Sequence, residues 1–228
     1  MNSIPKRIHY CWFGGKPLPK RFEEYIAGWQ KFFPDYEIIR WDESNFPIEE
    51  FPYAQEAMDA GKMAFVSDVA RIYALETMGG VYFDTDVEVV RTFDNILNGE
   101  TAVLGTEEPG QTIGTGFMAF APQHPICVEM LQYYRQNSFA QQSSTLSNTI
   151  ILAGIIQQMY GLEPKNCIQR KDDLVIYPKQ YFTAFDGPTG RIIATKDTHC
   201  IHHFAASWVS PMRRWKDNLK RFLNRVKK

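Results

Sequence analysis

Asp84 and Asp86 stand two residues apart, on either side of Thr85, at the end of the apolar run Val81-Tyr82-Phe83. Two carboxylates at that spacing beyond a strand can point into one site. Hard divalent cations such as Mn²⁺ or Mg²⁺ take such oxygens and often complete their shell with substrate phosphates. A cation held there would offset the charge on a departing diphosphate. An Asp-x-Asp pair is by itself weak, because Asp is common in surface turns; the chemistry needs further residues.

Ser67-Asp68-Val69-Ala70-Arg71 lies just upstream. Asp68 and Arg71, three apart, share a helix face. In water such a pair contributes little. In a cleft it is a clamp, the carboxylate accepting from sugar hydroxyls and the guanidinium presenting rigid donors to hydroxyl or phosphate.

The elements that must position these groups follow from periodicity. Ile8–Phe13 reads as a buried strand stopping at Gly14-Gly15, Pro19–Phe33 as a helix ended by Pro34, and Tyr36–Trp41 as a second strand, a β-α-β opening. Tyr53–Ala60 is a short helix. Ala64–Met78 is a stronger one, with Phe65, Val69, Ile72 and Leu75 in a stripe and Gly79-Gly80 as its cap. Strands are expected at Val81–Asp84, Val87–Val90, Thr101–Thr106, Phe117–Ala121, Leu174–Tyr177 and Cys200–Phe204, and helices at Pro125–Arg135 and Leu146–Tyr160. His124-Pro125 is a helix-start turn, and Gly114-Thr115-Gly116 is either a plain turn or a close approach to a ligand. The order is α/β, a mostly parallel sheet flanked by helices.

The chain has 228 residues, 44% hydrophobic and 22% charged, enough for one sizeable core. The 14% aromatic content is explained by core filling. Net charge is −1, yet Met212–Lys228 holds eight Lys or Arg against one Asp, so residues 1–211 carry about −8. That asymmetry excludes a globally basic nucleic-acid binder. Cys11, Cys127, Cys167 and Cys200 have no zinc or CxxC spacing and read as free thiols. The opening residues lack an apolar signal core, and no stretch approaches the ~20 apolar residues of a membrane span. The expectation is a cytoplasmic protein.

The pattern Ser67-Asp68-x-Ala70-Arg71-x3-Leu75-x3-Gly79-Gly80-x-Tyr82-x-Asp84-x-Asp86 resembles the signature of the DXD-containing sugar transferases, glycosyltransferase family 32. Bacterial capsular polysaccharide transferases, the yeast initiating mannosyltransferase and lactosylceramide galactosyltransferase belong there, and the glucosyltransferase domain of the large clostridial toxins is similar in this region. Ile4-Pro5-Lys6-x-Ile8-His9-x2-Trp12-x-Gly14 is similar to the family's N-terminal strand, and His202-His203-Phe204-Ala205-Ala206-Ser207-Trp208 to its late segment.

The resemblance implies a GT-A fold, Rossmann-like, over residues 1–211. It implies a metal-dependent, retaining transfer from a nucleotide-sugar donor, UDP favoured, to a glycan or lipid-linked acceptor in polysaccharide synthesis. On it, Asp84, Asp86 and His202 hold Mn²⁺ or Mg²⁺, with His202 chosen over His203 because it aligns better with the single His of distant relatives, His203 being expected on the opposite strand face. Asp68, Arg71, Asp84 and Asp86 carry the reaction; His9, Trp12, Asp68, Arg71, Tyr82, Asp84, Ser207 and Trp208 bind the donor, Trp12 packing near the base. In relatives the segment matching residues 114–121 lines the pocket.

Two alternatives stay open. One is a non-catalytic nucleotide-sugar-binding module. The other is a phosphatase or phosphotransferase using a similar Asp-x-Asp loop, disfavoured because those enzymes usually carry Thr or Val where Glu88 stands. Residues 212–228 form a separate basic amphipathic helix, with Met212, Trp215, Leu219, Phe222 and Val226 on one side. It reads as a peripheral anchor on an anionic membrane, placing the protein at the inner face of the plasma membrane; docking on its own domain is the alternative.

Overall fold

A computed structural model describes residues 3–141 and 146–205, and residues 212, 216, 220, 221 and 224 of the tail. The chain opens with β1 (Arg7–Cys11), α1 (Lys20–Phe32) and β2 (Glu37–Trp41), then α2 (Pro52–Asp59) and α3 (Met63–Met78). Next come β3 (Gly80–Phe83), β4 (Val87–Val89), α4 (Asp94–Leu97), β5 (Ala102–Glu108), β6 (Thr112–Ile113) and β7 (Phe117–Phe120). Helices α5 (Pro125–Gln136) and α6 (Asn148–Tyr160) lead to β8 (Gln169–Lys171), β9 (Leu174–Tyr177), α7 (Lys179–Phe182), β10 (Phe185–Asp186), β11 (Arg191–Ile192) and β12 (Cys200–His202).

The main sheet has the order β2-β1-β3-β7-β5-β9-β8, with β6 on β5. Strands β2, β1, β3, β5 and β9 run one way, as the parallel β1–β2, β1–β3 and β5–β9 pairings and the antiparallel β3–β7 and β5–β7 pairings require. The expected mostly parallel α/β sheet is thus present, with β7 reversed at its centre. Periodicity carries no strand direction, so that reversal had no sequence signal. The pieces α4, α7, β6, β8, β10 and β11 are too short for a periodic signal.

Alternation along each strand divides the core into two layers. Tyr82, Met118, Phe120, Ala102, Leu104, Leu174 and Ile176 face the helices α2, α3, α5 and α6. Ile8, Tyr10, Val81, Phe83, Phe117, Ala119, Val103 and Val175 face α1 and the β4 side. Helix α1 is fastened there by Trp29, fully buried, whose indole N–H donates to the Val87 carbonyl at 2.9 Å. Burying a ring of that size stabilises by about 3 kcal/mol, and the bond fixes β4 beside the helix.

Helix α3 buries Val66, Val69, Ala70, Ile72 and Leu75 and stops at Gly79 (φ 61°), whose N–H bonds the Leu75 carbonyl at 3.0 Å. A Cβ on Gly79 would lie 2.6 Å from Pro122, and one on Gly80 (φ 119°) 2.7 Å from the Arg7 carbonyl. The glycine pair therefore lets α3 turn straight into β3 against β1. His124 accepts from the Ile126 N–H at 3.3 Å and Pro125 occupies the first turn of α5, the expected helix start.

All four cysteines are free thiols, Cys167 exposed and the others buried. Among the described residues no helix is long and apolar enough to cross a membrane. In the tail, Met212, Lys216, Lys220, Arg221 and Asn224 are helical. The Arg221 guanidinium lies 5.4 Å from the Phe185 ring, and the Asn224 amide donates to the Pro188 carbonyl at 3.0 Å. Those two residues lean on the β10–β11 hairpin of their own domain. The apolar residues Trp215, Leu219, Phe222 and Val226 lie outside the described residues.

Candidate functional site

The acidic triplet leaves the carboxyl end of β3, where Phe83 pairs with Phe117 and the Asp84 N–H bonds the Gly116 carbonyl at 2.9 Å. Beside it, the antiparallel β4–β12 ribbon sets His202 opposite Val87. Asp84, Asp86 and His202 therefore converge, each offering a ligand atom within 4.8 Å of the others. His202 Nε2 lies 3.2 Å from Asp86 Oδ1 and 3.7 Å from Asp84 Oδ2. The neighbouring His203 turns away: its Nε2 sits 2.8 Å from Glu88 and its ring stacks on Tyr25 at 5.0 Å.

Local backbone strain shapes this corner. Strand β12 ends at His202, short of the expected Phe204, because Phe204 takes a left-handed conformation (φ 47°). A non-glycine residue there costs on the order of 1 kcal/mol. The turn delivers the Ala205 N–H onto Asp86 Oδ2 at 2.7 Å and stacks the Phe204 ring on His202 at 4.0 Å. Burial alone would raise the Asp86 pKa, but His202 and the Ala205 N–H hold it at about 2. Burial alone would lower His202, but the Asp86, Asp84 and Glu107 carboxylates lift it to about 9. The carboxylates thus favour positive charge at this point. Two carboxylates and an imidazole suit Mn²⁺ or Mg²⁺, and binding such an ion requires the imidazole to be neutral.

Arg71 organises the other side of Asp84. Its guanidinium, 7% exposed, lies 3.0 Å from Asp68 Oδ1 and 3.2 Å from Asp84 Oδ1. It also donates to the Thr115 carbonyl at 2.8 Å and lies 4.7 Å from the Tyr82 ring. Tyr82 donates its hydroxyl to Asp84 Oδ1 at 2.9 Å. Asp68 receives the Asn148 amide at 2.6 Å, which draws the start of α6 to α3. Burial raises the Asp68 pKa to about 6 against the opposing pull of Arg71. The Asp68–Arg71 pair is therefore no solvated surface bridge; it is a largely buried lattice that fixes Asp84.

The remaining candidates divide. Trp12 follows β1, at the same end of the sheet as Asp84, its indole edge-on to Phe22 at 6.1 Å and its N–H on the Lys16 carbonyl at 2.6 Å. His9 sits inside the fold, fully buried, with Nε2 2.8 Å from the Gly79 carbonyl and Nδ1 accepting from Trp41 at 3.1 Å. Both ring nitrogens are occupied by protein groups, so its expected contact with the donor is corrected to a structural one. Ser207 and Trp208 lie outside the described residues.

One group had no place in the sequence reading. Glu107, near the end of β5, lines a cleft with Gly105, Gly114, Gly116, Phe117 and His202. In sequence, Thr106-Glu107-Glu108-Pro109-Gly110 looks like a charged run into a turn, and only the sheet order brings it beside the acidic triplet.

Residues 19–103 match the family described as "Glycosyltransferase sugar-binding region containing DXD motif". The chain is similar to inositol phosphoceramide mannosyltransferase 3 of Schizosaccharomyces pombe, 31% identical over 134 residues, covering 57% of this chain and 37% of the relative. It spans less than half the length of the curated relatives it matches. Among solved structures it is similar to the PaToxG glycosyltransferase, with TM-score 0.58, 18% identity and coverage of 70% of this chain and 71% of that one. It is also similar to the glycosyltransferase GlyE of Streptococcus pneumoniae TIGR4, with TM-score 0.52, 11% identity and coverage of 95% and 61%. At those identities the likeness is one of fold, and the fold is that of the GT-A glycosyltransferases. Residues 19–103, which hold the Asp68–Arg71 clamp and the Asp84-Thr85-Asp86 triplet, thus carry a likeness to the DXD-containing glycosyltransferases, and the fold around them is the one those enzymes use.

Proposed function

We propose that this protein transfers a sugar from a nucleotide-sugar donor to an acceptor hydroxyl, with a divalent metal at Asp84, Asp86 and His202. The observation that carries the reading is their convergence within 4.8 Å at the carboxyl end of β3, directly beside a buried arginine. Ligands of open α/β sheets bind at that end of the strands. When bound, Mn²⁺ or Mg²⁺ would neutralise charge on the leaving diphosphate.

The chain's own residues do the rest. Asp86 is aimed by the Ala205 N–H and Asp84 by Tyr82 and Arg71. Arg71 and Asp68 orient the donor sugar from one side. Trp12 offers a ring to the base at the mouth of β1. Ser207 and Trp208 are proposed to donate to the diphosphate. Retention of anomeric configuration follows from the resemblance.

The name of the fission-yeast relative carries mannose and inositol phosphoceramide. Mannose is accordingly proposed as a transferred sugar and an inositol phosphoceramide-like lipid as an acceptor, beside the glycan acceptor and the UDP-sugar that the capsular and toxin resemblance favours. A basic tail of net +7 would suit an acceptor held at an anionic membrane, with the protein at its cytoplasmic face. The test is release of UDP or GDP from a panel of nucleotide sugars, mannose included, with and without Mn²⁺. Metal-dependent release from one donor supports the reading. Donor binding without turnover under any acceptor condition would favour a binding module instead.

A further inference from the structure

Glu107 is set apart from every other acid near the site. Asp68 is bonded by Arg71 and Asn148, Asp84 by Arg71 and Tyr82, Asp86 by Ala205 and His202, and Glu88 lies against His203. The adjacent Lys179 goes to Glu108, at 3.2 Å, and not to Glu107. Among the described residues no hydrogen bond or ion pair reaches the Glu107 carboxylate. Yet it is partly buried, and burial pushes its pKa up, with Asp84 adding to the rise and His202 opposing it. A desolvated carboxylate without donors is costly in any fold unless a ligand supplies them.

Its surroundings have the form of a small-ligand subsite. The wall is made by Gly105, Gly114 and Gly116 with Phe117 and Phe182, and His202 closes the side toward the acidic triplet. Side chains are barred from the wall. A Cβ at Gly116 would lie 2.7 Å from the His202 ring and 3.1 Å from Asp84 Oδ2, and one at Gly105 would lie 2.7 Å from Phe182. Gly114 faces Glu107 itself, its would-be Cβ 3.5 Å from the Glu107 Cβ and 3.7 Å from Oε2. The glycines keep bare backbone close to the unpaired acceptor, so the space in front of the Glu107 carboxylate admits a single ligand hydroxyl.

We infer that Glu107 accepts a hydrogen bond from a sugar hydroxyl in the cleft beside Asp84 and His202, and so serves as a sugar-selecting residue for the proposed transfer. This rests on the reading of the protein as a nucleotide-sugar transferase. A site built to bond a hydroxyl discriminates strongly when that bond is lost, because its own polar group is left unpaired. The hydroxyl belongs either to the donor sugar or to the acceptor sugar; both would sit next to the diphosphate held at the acidic triplet.

The experiment uses the full chain with Mn²⁺ and three variants: Glu107→Ala, Glu107→Gln, and Glu108→Gln as an exposed neighbour control. Calorimetry measures UDP and GDP alone and then the corresponding nucleotide sugars. Nucleotide release is then followed with and without added methyl hexopyranosides, with melting temperatures recorded to confirm folding. For a donor contact, Glu107→Ala lowers nucleotide-sugar affinity or release about 30-fold while affinity for the bare nucleoside diphosphate stays within about twofold. For an acceptor contact, release without acceptor is unchanged and stimulation by the methyl hexopyranoside is lost. Glu107→Gln keeps one acceptor oxygen and falls between wild type and alanine; Glu108→Gln matches wild type. Wild-type behaviour of Glu107→Ala in both arms overturns the inference while leaving the transferase reading intact. So does an equal fall in affinity for the bare nucleotide, which would place Glu107 behind the metal ligands. A wild-type chain that binds no nucleotide sugar sinks the transferase reading, and the inference with it.

Discussion

Arg71 and Asp84 meet at 3.2 Å, and the same guanidinium reaches Asp68 at 3.0 Å and the Thr115 carbonyl at 2.8 Å. One side chain thus joins α3, the first Asp of the triplet and the loop before β7. Removing one partner of a buried ion pair leaves the other unpaired, at a cost of about 3–5 kcal/mol. Arg71→Ala is expected to lower the unfolding free energy by that order in urea titrations. Arg71→Lys keeps the charge but not the fork, so it is expected to fold with a smaller loss and to weaken donor affinity at least about tenfold. Equal donor affinity in Arg71→Lys would show that the guanidinium only supports the fold.

Gly116 packs directly against His202 and Asp84. An added methyl would lie 2.7 Å from the His202 ring and 3.1 Å from Asp84 Oδ2. Gly116→Ala must therefore push His202 or Asp84 off the common centre, although neither is removed. Manganese affinity by calorimetry is expected to fall about tenfold or more, with the melting temperature lowered by a few degrees. Unaltered manganese binding would mean the ion sits elsewhere.

Asp68 gives a pH signature separate from the metal ligands. Its folded pKa of about 6 lies above the model-peptide value of 3.8, because burial disfavours the charged form. A group raised on folding stabilises fully below its unfolded pKa and loses that contribution as pH rises through the folded one. Between about pH 4 and pH 6 the wild type should therefore lose stability relative to Asp68→Asn. Paired denaturation curves across that window check this; parallel curves would show that Arg71 keeps Asp68 ionised throughout.

The tail separates two readings through lipid. Arg221 and Asn224 lean on the hairpin, while Arg213, Arg214, Lys227 and Lys228 are further charges of the same segment. If the tail meets an anionic surface, sedimentation with phosphatidylserine vesicles should fall when Arg213 and Arg214 are changed to Ser, and fall again at raised salt. A chain that never co-sediments with such vesicles has a tail that serves only its own domain.

Much of the site was legible because it is local. Asp68, Arg71, Gly79, Gly80, Tyr82, Asp84 and Asp86 fall within twenty residues of one helix–turn–strand unit, and helical and strand spacing dictate which of them share a face. His202 lies more than a hundred residues on and was reached through the resemblance; the adjacent His203 ring turns instead to Glu88 and Tyr25. Other features depend on pairings that periodicity does not encode. His9 is held at both ring nitrogens by Gly79 and Trp41, far along the chain. Glu107 reaches the acidic triplet only because β7 runs antiparallel between β3 and β5. The left-handed turn at Phe204 gives no composition cue, since glycine or asparagine would be its usual mark.

If Asp84, Asp86 and His202 hold a metal that serves sugar transfer, the decisive measurement is nucleotide release from a panel of UDP- and GDP-sugars, comparing wild type with Asp86→Asn, each with Mn²⁺ and with chelator. The wild type is expected to release nucleotide from one donor, dependent on Mn²⁺, and Asp86→Asn to fall about a thousandfold with the fold preserved. Full release by Asp86→Asn, or wild-type release that chelation leaves untouched, would show that no metal at these residues serves the reaction.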